Sequence, residues 1–213
     1  MKIALISDVH LEFGDCFIEN TENAELLILG GDIMISQELH DFAEPLNDLE
    51  KSLLGKRGLS ASIYRKFLRR CSEQFKDVIY IAGNHEFYHG RWKASLQHLR
   101  DECAVFPNVY FLEQDVKEID GVSFIGATLW TDCNKGDPLT LHALGDMMTD
   151  FRIIRNDEHG YTKLRPAHTM YRHQQTLSYF RHVLSDMKDR KVVVVGHHAP
   201  TFQSTHEKYI NDT

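Results

Sequence analysis

Apolar residues along the chain fall into short runs, most of them closed by a glycine or a polar cluster. Lys2 to Ser7 is such a run; it reads as a buried strand and is followed by Asp8-Val9-His10. Glu25 to Leu29 reads as a second strand, closed by Gly30-Gly31-Asp32. Val78 to Ala82 is a third, ending in Gly83-Asn84-His85-Glu86, and Val109 to Leu112 a fourth. Val116 to Ile119 and Val122 to Ala127 flank Asp120-Gly121, a dipeptide that signals a hairpin turn. Val192 to Val195 is the last run and leads into Gly196-His197-His198. Between these runs the spacing becomes helical. Ser36 to Phe75 predicts two helical pieces broken near Gly55 to Gly58, and Arg91 to Cys103 predicts one helix stopped before Pro107. Trp130 to Leu164 reads as irregular, with one helix around Leu139 to Met148. Pro166 to Lys188 predicts a long helix with proline in its first turn and Met170, Leu177, Phe180, Leu184 and Met187 as its apolar stripe. Strands that alternate with helices and then form a hairpin predict an α/β domain with mixed sheets. No linker or repeat divides residues 1–213, so a single domain is expected.

The polar clusters share one position: each follows a strand. Ligands of open α/β sheets collect outside the carboxyl ends of the strands. If these strands are parallel neighbours, the clusters converge. Asp8 and His10 are two residues apart, so an extended chain points both the same way. Asp32 has two carboxylate oxygens and can bridge two ions, Asn84 offers a neutral oxygen, and His197 offers an imidazole nitrogen. Mixed nitrogen and oxygen donors suit Mn, Fe, Zn or Co, and the lack of thiolate argues against a structural zinc site. His85, next to Asn84, would point to the opposite side and face a substrate. Gly31, Gly83 and Gly196 each precede a candidate ligand, where close backbone approach is expected.

Composition narrows the options. The 213 residues carry 42% hydrophobic and 26% charged side chains, the balance of an ordinary globular chain. A net charge of −7 disfavours nucleic acid as a partner. The basic stretch Arg65, Lys66, Arg69 and Arg70 reads as a solvated helix face. The four cysteines form no C-x-x-C pair, which excludes zinc-ribbon and redox motifs. The first apolar run is too short for a signal peptide, and nothing reaches the length of a membrane span. A cytoplasmic protein that does not engage membranes is expected.

Together, Asp8-x-His10, Gly31-Asp32, Gly83-Asn84-His85-Glu86 and Gly196-His197-His198 resemble the calcineurin-like metallophosphoesterase superfamily. Ser7 to Phe13, Gly83 to Tyr88, Ala127 to Thr131 and Val194 to Pro200 are similar to one bacterial and phage branch of it. The resemblance implies a two-sheet sandwich of mixed β-sheets flanked by helices, with two divalent transition metal ions, Mn foremost, at its top edge. It implies Asp8 and His10 on the first metal, Asp32 bridging, and Asn84 and His197 on the second. His85 would contact the phosphoryl group and protonate the leaving oxygen, while His198 would not be a ligand. The implied activity is hydrolysis of a phosphomonoester or phosphodiester of a small phosphorylated substrate.

This chain departs from the family pattern twice. Ile33-Met34-Ile35-Ser36 replaces the Asp-Arg-Gly extension of protein phosphatases, which disfavours a phosphoprotein substrate. The family's Gly-His-x-His motif is also absent: beyond His198 the one histidine is His206, in Thr205-His206-Glu207. The resemblance therefore implies a chain without its C-terminal strands, with fewer metal ligands and an impaired activity. Such a chain would leave an open sheet edge through which a second copy could pair. The alternatives are a degenerate metal-binding domain with little activity, and a nuclease, which would need a basic groove. Trp130, Asp132, Asp146, Asp150 and Arg152 lie in the long irregular segment and either touch substrate or pack that loop.

Overall fold

The computed structural model describes residues 1–42, 55–158, 160 and 162–204; His206 and its neighbours lie outside them. Strands β1 (Ile3–Ile6), β2 (Leu26–Leu29), β3 (Asp77–Tyr80) and β4 (Val109–Phe111) form a parallel sheet in the order β1-β2-β3-β4. Helices α1 (Ser36–Asp41) and α2 (Gly55–Gln74) lie between β2 and β3, and α3 (Trp92–Cys103) between β3 and β4. A second sheet, ordered β5-β6-β9, holds β5 (Asp115–Ile119), β6 (Val122–Ala127) and β9 (Lys191–Gly196). Its β5–β6 hairpin turns at Asp120 and Gly121 with φ of 48° and 75°, the positive pair that a two-residue type I′ turn requires. A short ribbon of β7 (Arg155–Asn156) and β8 (Thr162–Lys163) follows helix α4 (Pro138–Met147). Helix α5 (Pro166–Asp186) precedes β9.

The alternation of side chains across the central strands builds the layers. Leu27, Leu29, Val78 and Tyr80 face the helices and pack with Tyr64, Phe67, Leu68 and Leu99. Leu26, Ile28, Ile79 and Ile81 face the other way and meet Ile119, Phe124 and Val195 of the second sheet. Phe180 of α5 covers the outer side of that sheet through Ile125, Ala127 and Leu129. The result is a helix–sheet–sheet–helix sandwich, in which each fully buried aliphatic side chain contributes roughly 1.5–3 kcal/mol.

Several expectations change. Strand β1 is not buried, because it is the edge of its sheet: Ile3 is 40% and Leu5 68% exposed. Their register with Leu26 and Ile28 puts them on the face that the second sheet covers. That sheet ends at β9, among the described residues, and leaves both side chains in solvent. Gly58 lies inside α2, whose buried Ala61, Tyr64, Phe67, Leu68 and Cys71 outweigh its cost of roughly 1 kcal/mol. The expected helical piece over residues 43–54 lies outside the described residues. The basic stretch is not wholly solvated. Arg65 is buried, donates to Glu102 at 3.1 Å, and caps the carbonyls of Leu39 and Phe42, so it ties α1, α2 and α3 together. Lys66 and Arg70 do face solvent, beside Asp15. The buried stripe of α5 runs through Pro166, Thr169, Thr176 and Phe180, while Leu184 is exposed. Small threonines let this helix approach closely; the hydroxyl of Thr169 is satisfied by the Pro166 carbonyl at 2.8 Å.

Candidate metal centre

Strands β1, β2 and β3 end side by side, and their pairing runs on into the loops. The N–H groups of Asp8, His10 and Leu11 donate to the carbonyls of Gly31, Asp32 and Ile33, each at 3.0 Å. The backbone there is not extended, contrary to expectation: Asp8, His10 and Asp32 have φ of 56°, 52° and 53°. Left-handed conformations at non-glycine residues are costly and concentrate at functional sites. His197 arrives from β9, in the opposite sheet, so the four clusters do not follow four neighbouring strands. Across the sandwich, its Nδ1–H donates to the Gly30 carbonyl at 2.9 Å. This crowding explains two glycines. A Cβ on Gly31, whose φ is 94°, would lie 2.6 Å from the Gly83 nitrogen and 2.7 Å from His197 Nδ1. One on Gly83 would lie 2.6 Å from the Asp32 nitrogen. Gly196 is different: its nearest neighbour would be Leu129 at 3.4 Å, so no close approach requires glycine there.

Glu86 holds the loops together. Its fully buried carboxylate accepts from the backbone N–H groups of Asp32 (3.0 Å), Ile33 (2.7 Å), Met34 (3.5 Å) and Gly83 (2.7 Å), and from the Tyr80 hydroxyl (2.8 Å). Burial, and then the charge of Asp32, push its pKa up. These donors compensate a carboxylate that would otherwise be expensive to bury. Sequence reasoning gave Glu86 no role, because its partners in the Asp32 loop lie more than fifty residues away.

At the centre stands Asp32, 4% exposed. Its Oδ2 is 3.9 Å from both His10 Nε2 and His85 Nε2. Its Oδ1 is 3.6 Å from His197 Nε2 and accepts the His85 N–H at 2.8 Å. Two donor groups emerge, each spanning at most 4.8 Å: Asp8, Asp32 and His197, and His10, Glu12 and His85. Asp8 thus shares a donor group with His197. Asn84 precedes the short turn His85–Phe87 and donates to the Tyr88 hydroxyl at 3.4 Å, with buried Asp150 behind both residues. His85 lies nearer the donor cluster than its placement opposite Asn84 suggested.

Glu12 is the second residue that sequence reasoning missed. Its Oε1 lies 2.6 Å from His85 Nδ1 and 3.2 Å from His10 Nδ1, and its Oε2 is buried with no hydrogen-bond partner among the described residues. Burial alone would lower the His85 pKa, but the hydrogen bond to Glu12 and the charges of Asp32 and Glu12 raise it.

The donor chemistry fits divalent cations. The Gly30 carbonyl can only accept, so the neutral His197 ring carries its proton on Nδ1 and turns the Nε2 lone pair toward Asp32 Oδ1. A ring oriented in this way, with acceptor facing acceptor, is the usual setting of a metal-ligating histidine. His198 turns away: it stacks on Trp130 at 5.2 Å and donates to the Thr128 carbonyl at 3.2 Å, and burial pushes its pKa down to about 4. Trp130 is buried between Phe87, Trp92 and His198, so it packs the loop. Arg152 donates to the Asp146 carbonyl at the surface.

The molecule is thus an α/β sandwich of parallel and mixed sheets with Asp and His donors gathered over its strand ends. Residues 1–212 match the family described as calcineurin-like phosphoesterase, and the chain belongs to that family. An uncharacterized protein of Acanthamoeba polyphaga mimivirus is 27% identical over 208 residues, which cover 92% of this chain and 67% of the relative. Among solved structures, the phosphopantetheinyl hydrolase PptH from Mycobacterium tuberculosis has a similar fold. Its TM-score is 0.62 at 16% identity, covering 98% of this chain and 73% of that one. No helix among the described residues is long and apolar enough to cross a membrane.

Proposed function

We propose that the protein hydrolyses a phosphomonoester or phosphodiester of a small molecule at a dinuclear metal centre held by Asp8, His10, Asp32, Asn84 and His197. The observation that carries this reading is the meeting at Asp32, where three imidazole nitrogens lie 3.6–3.9 Å from one buried carboxylate. Mn is the foremost metal, and Fe, Zn or Co suit the same donors. Such a pair, when bound, supplies Lewis-acid clamping of the phosphoryl oxygens and activation of water.

The chain's own residues do the rest. Glu86 fixes the backbone of Asp32 relative to Gly83, and Asp150 and Tyr88 orient Asn84. Glu12 holds the Nδ1 proton of His85 and favours the imidazolium, which leaves Nε2–H to protonate the departing oxygen as general acid. The net charge of −7 supports a small substrate over nucleic acid. Cys16, Cys71, Cys103 and Cys133 are free thiols, which suits a reducing compartment such as the cytoplasm.

The test is reconstitution with Mn, followed by metal analysis and assays on nitrophenyl phosphate and bis(nitrophenyl) phosphate. We expect about two ions per chain, cleavage of at least one ester, and loss of turnover in Asp32→Ala. Bound metal with neither ester cleaved, or turnover that survives Asp32→Ala, would overturn the reading.

A further inference from the structure

His10 and His85 are held between the same two carboxylates. Glu12 Oε1 lies 3.2 Å from His10 Nδ1 and 2.6 Å from His85 Nδ1. On the other side, Asp32 Oδ2 lies 3.9 Å from the Nε2 of each ring. The two imidazoles meet edge to face, with centroids 4.3 Å apart.

The two carboxylates play different parts. Burial would raise the Glu12 pKa, but hydrogen bonds from His85, from its own backbone and from His10 lower it. An ionised carboxylate only accepts, so the ring nitrogen that faces Glu12 carries a proton in both histidines. The Nε2 atoms are left aimed at Asp32, where an ion and the reacting oxygen would meet. No other side chain competes for Glu12: its Oε2 is buried with no hydrogen-bond partner among the described residues, so both rings share one oxygen. The side chain is 9% exposed, which keeps water from replacing either bond. A carboxylate behind a ligating imidazole fixes the tautomer and orientation of the ring.

We propose that Glu12 is a shared positioning residue: one carboxylate oxygen holds His10 as a metal ligand and His85 as the proton donor, so that metal affinity and proton transfer depend on the same side chain. The proposal rests on the hydrolase reading of the centre and goes beyond it, since that reading uses Glu12 behind His85 alone.

The test reads two quantities in each variant. One is calorimetric titration of Mn into the metal-free protein. The other is kcat at saturating Mn on hexyl phosphate or dihexyl phosphate, whose alkoxide leaving group needs a proton. We expect Glu12→Ala to weaken Mn binding about 10–100-fold and to lower kcat about 10–100-fold, with KM changed less than kcat. In a His85→Ala background the same substitution should still weaken Mn binding but no longer lower kcat, because one arm acts through His10 and the other through His85. Glu12→Gln should lose about tenfold in each arm, since a neutral acceptor holds an imidazole more weakly than a charged one, and it is the fallback should Glu12→Ala not fold. Unchanged Mn affinity in these variants, or a kcat loss that persists in full without His85, overturns the proposal while the hydrolase reading stands. An ion lost outright at saturating Mn would make Glu12 a ligand and overturns it as well. If the parent protein cleaves neither ester, the hydrolase reading fails, and the Mn titration decides the hold on His10 by itself. Affinity weakened about tenfold or more by Glu12→Ala retains that hold, and equal affinity removes it.

Discussion

The two ends of strand β1 and its neighbours are built on opposite principles. At the carboxyl end, polar groups are over-determined: Glu86 alone accepts from four backbone N–H groups and a tyrosine hydroxyl, and three residues are held at positive φ. Along the lateral edge, where β1 and β9 end their sheets, apolar side chains meet solvent: Leu5 is 68% and Val194 47% exposed. The difference shows where the chain invests its stability. Buried hydrogen bonds shape the candidate metal centre, whereas the edge adds little beyond its own ladder.

The largest expected effect is on chemistry. His85→Ala should lower turnover by about 10²–10⁴-fold while metal content is retained. Metal content that collapses along with turnover would instead make His85 a ligand, through the group it forms with His10 and Glu12. Next comes the keystone of the polar end. Glu86→Ala orphans five buried donors and should cost about 4 kcal/mol in urea unfolding, with metal affinity falling as Asp32 loosens. An effect below about 1 kcal/mol would show that the polar end is not held in this way.

The comparison is sharpest between two leucines. Leu27→Ala, in the core, should cost about 3 kcal/mol, and Leu5→Ala, on the open edge, less than about 0.5 kcal/mol. Equal costs would mean that something covers the edge in solution. The smallest effect is acid sensitivity, which belongs to the polar end. The His198 pKa is pushed down to about 4 by burial, below the ordinary value near 6.5. A depressed folded pKa gives stability that is complete above the unfolded value and is lost as pH falls through the folded one. The metal-free protein should therefore lose about 2 kcal/mol between about pH 7 and pH 5. His198→Phe, which keeps a ring against Trp130, should flatten that slope.

Much of this was legible in the residues. Each run of apolar side chains closed by a glycine or a polar cluster marked a strand and its functional end, because strand period and turn chemistry are local. Asp8, His10, Asp32, Asn84, His85 and His197 stood out as candidates for the same reason. Glu86 and Glu12 were not, since the carboxylates differ from surface acids only in their partners. For Glu86 the Ile33 N–H is 53 residues away, and for Glu12 the His85 ring is 73 residues away. Arg65 is a third case, reading as part of a basic face until α1 and α3 close over it.

By itself, the sequence determined the α/β class, the hairpin at Asp120-Gly121 and most of the candidate metal donors, all of which depend on periodicity, turn residues and side-chain type. Only the tertiary structure decided that His197 reaches the centre from the opposite sheet, that Asp8 groups with His197, and that β1 lies open. These depend on which strands become neighbours and where a sheet ends. Side chains far apart along the chain settle that by competing for the same buried space.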